Sequence, residues 1–200
     1  MTDREALLAA ICANPDDDTP RLAFADWLEE NGEPERAEFV RLQCELASGL
    51  PPGPRRSAMV SRTNKLLRKN ESHWRADLVE TEPMAWTWDR FERGFVESLA
   101  VYDLDRFSQS ATRLFAYAPI VSLTIYRLKN PGVLAEIPVL SQVRCLCIYT
   151  NWPAEDSVRR LALATNLNAL EEISILGPTI DFVLEDLLVE RFGSKLYRGI

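Results

Sequence analysis

Residues 140–151 read Leu140-Ser141-Gln142-Val143-Arg144-Cys145-Leu146-Cys147-Ile148-Tyr149-Thr150-Asn151. Apolar residues advance by three, three and two, and polar Asn151 follows three further on. A helix repeats its face every 3.6 residues and a strand every two, so neither period alone produces these steps. The steps recur. Leu167, Leu170, Ile173 and Ile175 keep them, as do Tyr117, Ile120, Leu123 and Ile125, and a shorter copy runs Val96, Leu99, Val101. The matching positions Leu99, Leu123, Leu146 and Ile173 are 24, 23 and 27 residues apart. A near-constant period of this size marks a stack of short supersecondary units, each too small to bury its own apolar face.

The spacing is that of a leucine-rich repeat. A turn brings Leu140 and Val143 inward, and a short strand then buries Leu146 and Ile148. Between the strands, 103–118, 153–164 and 181–192 carry helical periodicity, while 131–138 has room for only a turn of helix. Strand and helix alternating in one sense give parallel pairing and a curved two-layer stack. Leu196 to Ile200 falls about where another repeat would begin. The expected fold is α/β: an N-terminal helical hairpin and long helix over 1–90, then a short leucine-rich-repeat-like solenoid of about four repeats over 91–200.

Strand alternation then assigns a face. With Leu99/Val101, Leu123/Ile125, Leu146/Ile148 and Ile173/Ile175 inward, the intervening residues line the concave side in three columns. Ser98, Ser122, Cys145 and Glu172 form the first. Ala100, Thr124, Cys147 and Ser174, all small, form the second. Tyr102, Tyr126, Tyr149 and Leu176 form the third. Strands about 4.8 Å apart would let the tyrosine rings stack. Rigid rings with a polar tip favour partner contacts, although tyrosine also forms strands well and covers sheet edges. Tyr102, Tyr126, Tyr149, Thr124, Ser174 and Glu172 are the candidate partner-binding residues.

The first half of the chain is helical in pattern. Thr2 and Glu5 form a capping box before an apolar stripe of Leu7, Leu8, Ile11 and Cys12. The run Asp16-Asp17-Asp18 lacks the alternating oxygen ligands and closing Glu of a calcium loop, and reads as helix punctuation. Thr19-Pro20 is the expected start of the next helix and Asn31-Gly32 its stop, with Ala23, Phe24, Trp27 and Leu28 on one side. Pro34 opens a third helix with Phe39, Val40, Leu42 and Leu46 inward, flanked by Arg36 and Gln43.

The series Asp17-Asp18-x-Pro20-Arg21-Leu22-x-x-Ala25-Asp26-Trp27-Leu28-Glu29-Glu30-x-Gly32, then Arg36-Ala37-Glu38-Phe39-x-Arg41-Leu42-Gln43, resembles the repeat-companion domain of planctomycete bacteria such as Gemmata. Arg93-Gly94-Phe95-Val96-Glu97 resembles its later part. The resemblance covers about the first 48 residues and implies an architecture, a helical module preceding leucine-rich-like repeats, without a biochemical activity. Within it, Asp26 or Glu30 can pair with Arg36 or Arg41 across the hairpin. Alternatively Arg21, Asp26 and Trp27 form a second recognition edge for another protein.

Three prolines and two glycines in Ser48–Pro54 end the hairpin. Helical periodicity resumes from Arg55 to about Glu80 on Met59, Leu66, Leu67, Trp74 and Leu78, and Pro83 breaks it. Trp86, Trp88 and Phe91 then either cap the first repeat or offer a stacking platform.

Chemistry-bearing motifs are scarce. There is one histidine, His73, and no Gly-rich phosphate loop, Gly-x-Ser-x-Gly elbow or zinc-ligand spacing accompanies it. Net charge is -7, split -5 over 1–94 and -2 over 95–200, which disfavours direct nucleic-acid or anionic-membrane binding. Cys145 and Cys147 point the same way from one strand, a poor disulfide geometry; with Cys12 and Cys44 on helices, reduced thiols and a cytoplasmic location are expected. The N-terminus lacks a basic head and apolar run, and no stretch is long enough to span a membrane. The expectation is a non-catalytic protein-interaction module that takes a protein or peptide and needs no cofactor or metal. Two other readings stay open: an accessory subunit of a larger nucleic-acid-handling or defence complex, and a small enzyme using His73 and nearby acids.

Overall fold

The computed structural model describes residues 2–75, 86–88, 91–150, 155–177 and 182–199. The chain is mixed α/β and divides into two compact units. The first comprises Met1–Thr81, Arg90–Glu97 and Arg113–Pro119; the second comprises Glu82–Asp89, Ser98–Thr112 and Ile120–Ile200. The division is therefore not a single cut at residue 90, since the stretch around Gly94 belongs with the helices.

Helices α1 (Asp3–Ala13), α2 (Asp18–Glu30), α3 (Pro34–Ala47) and α4 (Pro54–Trp74) build the first unit. Thr2 caps α1 through the capping box, its hydroxyl accepting from Glu5 N–H while Glu5 accepts from Thr2 N–H. α2 starts earlier than Thr19-Pro20 predicts. The Asp17 carboxylate accepts the Thr19 N–H at 2.8 Å and caps the helix. Pro20 then lies in the first turn, where its missing N–H satisfies nothing in any case. Leu8, Ile11, Phe24, Ala25, Leu28, Ala37, Val40, Cys44 and Phe95 form one buried cluster. Ala23, expected inside, is exposed, and Leu42 and Leu46 are only half-buried. The burial stripe of α2 is rotated so that Arg21 and Ala25 take the inner positions. Pro83 and Leu78 lie outside the described residues.

Strands β1 (Trp86–Trp88), β4 (Ser98–Val101), β5 (Ser122–Leu128), β6 (Cys145–Thr150), β7 (Glu172–Leu176) and β8 (Leu196–Gly199) form one six-stranded sheet in that order. β4 to β8 are parallel neighbours; β1 runs antiparallel along β4. β1 thus closes the edge that β4 would otherwise leave unpaired. Phe91 does not join the two tryptophans. It belongs to a separate hairpin, β2 (Phe91–Glu92) and β3 (Phe95–Val96), and packs edge-on against Phe39 at 5.6 Å.

The parallel register matches the columns read from the sequence. Leu99, Leu123, Leu146 and Ile173 are aligned and buried, as are Val101, Ile125, Ile148 and Ile175. Helices α5 (Leu104–Tyr117), α6 (Glu155–Ala162) and α7 (Phe182–Phe192) lie between strands. Between β5 and β6 there are only two 3-10 turns, Pro131–Glu136 and Pro138–Gln142. The first packs so closely on α6 that a Cβ on Gly132 would stand 3.0 Å from Arg160 Cβ. Asn166, between α6 and β7, locks these turns by donating to the carbonyls of Leu134 (2.8 Å) and Ile137 (2.7 Å). Leu196–Gly199, where the sequence places the beginning of another repeat, continues the sheet as β8.

Candidate interaction surface

The solvent face of the parallel sheet carries the candidate residues. In-register strands hold equivalent side chains one strand spacing apart, which is also a comfortable stacking distance for rings. Tyr102 and Tyr126 stack with centroids 5.1 Å apart and planes 9° apart; Tyr126 and Tyr149 do so at 4.7 Å and 12°. Tyr126 is the half-buried middle ring, and Tyr102 (51% exposed) and Tyr149 (39%) are the open ends. Beyond Tyr149 the register partner is Leu176, so the ladder ends there. A register shift follows Tyr126, where Arg127 adopts φ 57° and Leu128 pairs with Thr150. Such a bulge turns the strand away directly after the ladder position.

Beside the ladder lies the small-residue column. Thr124, Cys147 and Ser174 are in register and half-buried, and Glu172 stands exposed next to Cys145 in the first column. All six candidate residues share this face. Sequence reading missed a fourth tyrosine. Tyr197 on β8 pairs with Ser174 and is 62% exposed, so it closes the small column with a ring. Its signal was a single apolar residue, Leu196, opposite Ile173, too little to define a strand. Burial raises the Cys145 and Cys147 thiols above their ordinary value, and Glu172 adds to the effect.

The second candidate set is dispersed by the structure. Arg21 is fully buried and is no part of a recognition edge. Its guanidinium donates to the carbonyls of Pro15 (2.7 Å) and Arg93 (3.1 Å), meets the Glu97 carboxylate at 2.8 Å, and lies 5.3 Å from the Phe95 ring centre. Asp26 is exposed and bound to Arg41 at 2.7 Å, which also holds Glu29. Trp27 is half-buried and stacked on Phe24 at 6.0 Å.

What the motif residues do instead is grip the β2–β3 hairpin. Arg93 (φ 44°) and Gly94 (φ 89°) form its two-residue turn, the left-handed pair that suits a tight hairpin. Arg36 donates to the Gly94 carbonyl, Gln43 accepts from the Gly94 N–H at 2.7 Å, and Gln43 donates to the Phe91 carbonyl. A Cβ on Gly94 would stand 2.7 Å from a Val40 methyl, so position 94 excludes side chains by space as well as by backbone angle. Burial pushes the Glu97 carboxyl above the usual carboxylate range, against the opposing pull of Arg21 and Arg93.

His73 is exposed near the end of α4. It borders a cleft of about 170 Å³ within the helical unit that Arg4, Glu33, Arg36 and Trp74 also line. Among the described residues no group of three His, Cys, Asp or Glu could hold a metal ion, and no helix is long and apolar enough to cross a membrane. Comparison with protein-family models, curated proteins and solved structures finds no match for the chain.

Proposed function

We propose that this chain is a protein-interaction module without catalytic activity, in which a repeat-companion-type helical unit accompanies a short leucine-rich-repeat-like solenoid. Its concave strand face binds a protein or peptide. The observation that carries this reading is the stack of Tyr102, Tyr126 and Tyr149, open at its two ends, beside a column of small side chains. Stacking fixes the rings before any partner arrives, so little side-chain entropy is lost on contact. The small column leaves depth next to the rings for a partner's side chains, and the phenol tips supply directional hydrogen bonds. Thr124, Ser174 and Glu172 supply polar contacts along the same face.

The test is a lysate pulldown from the native cell with mass-spectrometric readout, comparing the wild type with the Tyr102→Ala/Tyr126→Ala/Tyr149→Ala variant. A partner retained by the wild type and lost by the variant, whose melting temperature stays within a few degrees, is the expected result. A partner held equally by both would remove the site from the ladder. Unfolding of the variant would make the tyrosines structural.

A further inference from the structure

We infer that the outer face of α4 is a second docking surface, for a short acidic peptide segment of a partner protein. The inference does not depend on the tyrosine ladder. It begins with charge. Between Pro54 and Arg75 stand seven Lys and Arg residues and one acid, Glu71, a net +6; the rest of a chain whose total is -7 therefore carries -13.

Four of those seven cations are used within the helical unit. Arg55, Arg62 and Lys69 reach across to Glu45, Glu38 and Glu35 on α3, and Arg75 pairs with Glu71. Arg56, Lys65 and Arg68 are left. Arg56 donates to the carbonyls of Leu46 and Leu50, and Arg68 to the carbonyl of Asn64 on its own helix. Among the described residues none of the three pairs with a carboxylate. Backbone carbonyls orient a guanidinium without neutralising it, so the face keeps its field.

Arg56 and Arg68 border an open groove of about 520 Å³ whose floor is Ser57, Val60, Ser61 and Asn64, and exposed Lys65 follows Asn64 on the same helix. No acid lines it. Val60 is 39% exposed at its centre. From Arg56 to Arg68 the helix rises about 18 Å, at about 1.5 Å per residue, which an extended segment of roughly five residues spans. The complementary ligand carries carboxylates at both ends, one toward Arg56 and the other toward Arg68, with Lys65 adding to the local field and an apolar side chain on Val60. The serines and Asn64 offer hydrogen bonds to its backbone. A long polyanion such as nucleic acid fits less well. It would run past the groove onto a surface whose remaining charge repels it, whereas a short segment meets only the local cations inside a Debye length of about 8 Å.

The probe is a fluorescein-labelled peptide, Asp-Glu-Leu-Asp-Glu, titrated with the full chain and read by anisotropy. Binding is expected at 50 mM NaCl, weakening at least tenfold by 500 mM, and absent for Asn-Gln-Leu-Asn-Gln. Lys65→Glu/Arg68→Glu should weaken it at least tenfold with the circular dichroism spectrum unchanged; Lys65→Gln/Arg68→Gln serves if the reversed pair does not fold. Arg62→Gln, whose cation is held by Glu38, should change it less than threefold. Equal binding of the neutral peptide, equal binding by the variants, or tighter binding of a dT20 oligonucleotide than of the peptide would each overturn the inference.

Discussion

The two units reach stable interiors by opposite routes. In the sheet unit the interior repeats one apolar pattern strand after strand, and among the described residues its buried polar side chains are Thr150 and Ser157. In the helical unit two arginines and a glutamate, Arg21, Arg36 and Glu97, are buried with Thr63. The sheet unit leans less on individual polar contacts, because β4 to β7 present apolar residues in the same register. The helical unit must hold a two-stranded hairpin, which is too small to be stable alone. It does so by satisfying the turn's own backbone groups with Arg21, Arg36 and Gln43. Non-directional burial tolerates exchange of similar residues, whereas a latch of charged hydrogen bonds does not.

That contrast breaks most visibly at Arg21. Arg21→Met leaves the buried Glu97 without its closest cation and should cost about 3–5 kcal/mol, the scale for removing one member of a buried pair. Ile148→Val in the sheet interior should cost only about 0.5–1.5 kcal/mol. Urea denaturation followed by circular dichroism compares them directly. A loss below about 1 kcal/mol for Arg21→Met would mean that the helical unit rests on its apolar cluster alone.

The cysteines sharpen the comparison through pH. In the helical unit, burial pushes the Cys44 thiol up to about 12 and the Cys12 thiol up to about 11. Unfolded thiols ionise near pH 9. Between pH 9 and 12 the unfolded chain therefore sheds protons that the folded chain keeps, and the contribution, fully present below about pH 9, is lost as pH rises. The melting temperature should fall over that range, and Cys44→Ala should flatten the fall. At pH 8, Cys145 and Cys147 on the half-buried sheet face should react with iodoacetamide well before Cys44. Faster alkylation of Cys44 would contradict its enclosure.

How much was legible in the sequence follows the same division. The strand registers of the sheet unit were readable from Leu99, Leu123, Leu146 and Ile173 because apolar spacing alone sets them, and the tyrosine column came with them. The placement of Arg21 was not. A cationic residue on an amphipathic helix reads as surface, and its burial is explained by the carbonyls of Pro15 and Arg93 and by the Glu97 carboxylate, two of them more than 70 residues away in sequence. Asp17 was obscured as a cap by Thr19-Pro20, which carries the stronger local signature. The positive face of α4 was hidden by averaging charge over half the chain, where α3 and the N-terminal acids cancel it. Spacing reports burial that repeats; it is silent on polar contacts made once.

The smallest expected effect lies in the ladder itself. Stacked rings that are partly exposed contribute to stability chiefly through their pairwise contact, which for aromatic pairs is about 0.5–1.5 kcal/mol. A double-mutant cycle on Tyr126→Ala and Tyr149→Ala, at 4.7 Å the closer pair, should return a coupling in that range. Tyr126→Phe should be neutral within about 0.5 kcal/mol, because the ring does the stacking. The two measurements separate the roles that the tyrosines combine. A coupling near zero would mean that parallel strands merely carry the rings at this spacing. A large loss for Tyr126→Phe would tie the hydroxyl into the fold, and the ladder would then resemble the helical unit's polar latch more than the uniform apolar face on the sheet's other side.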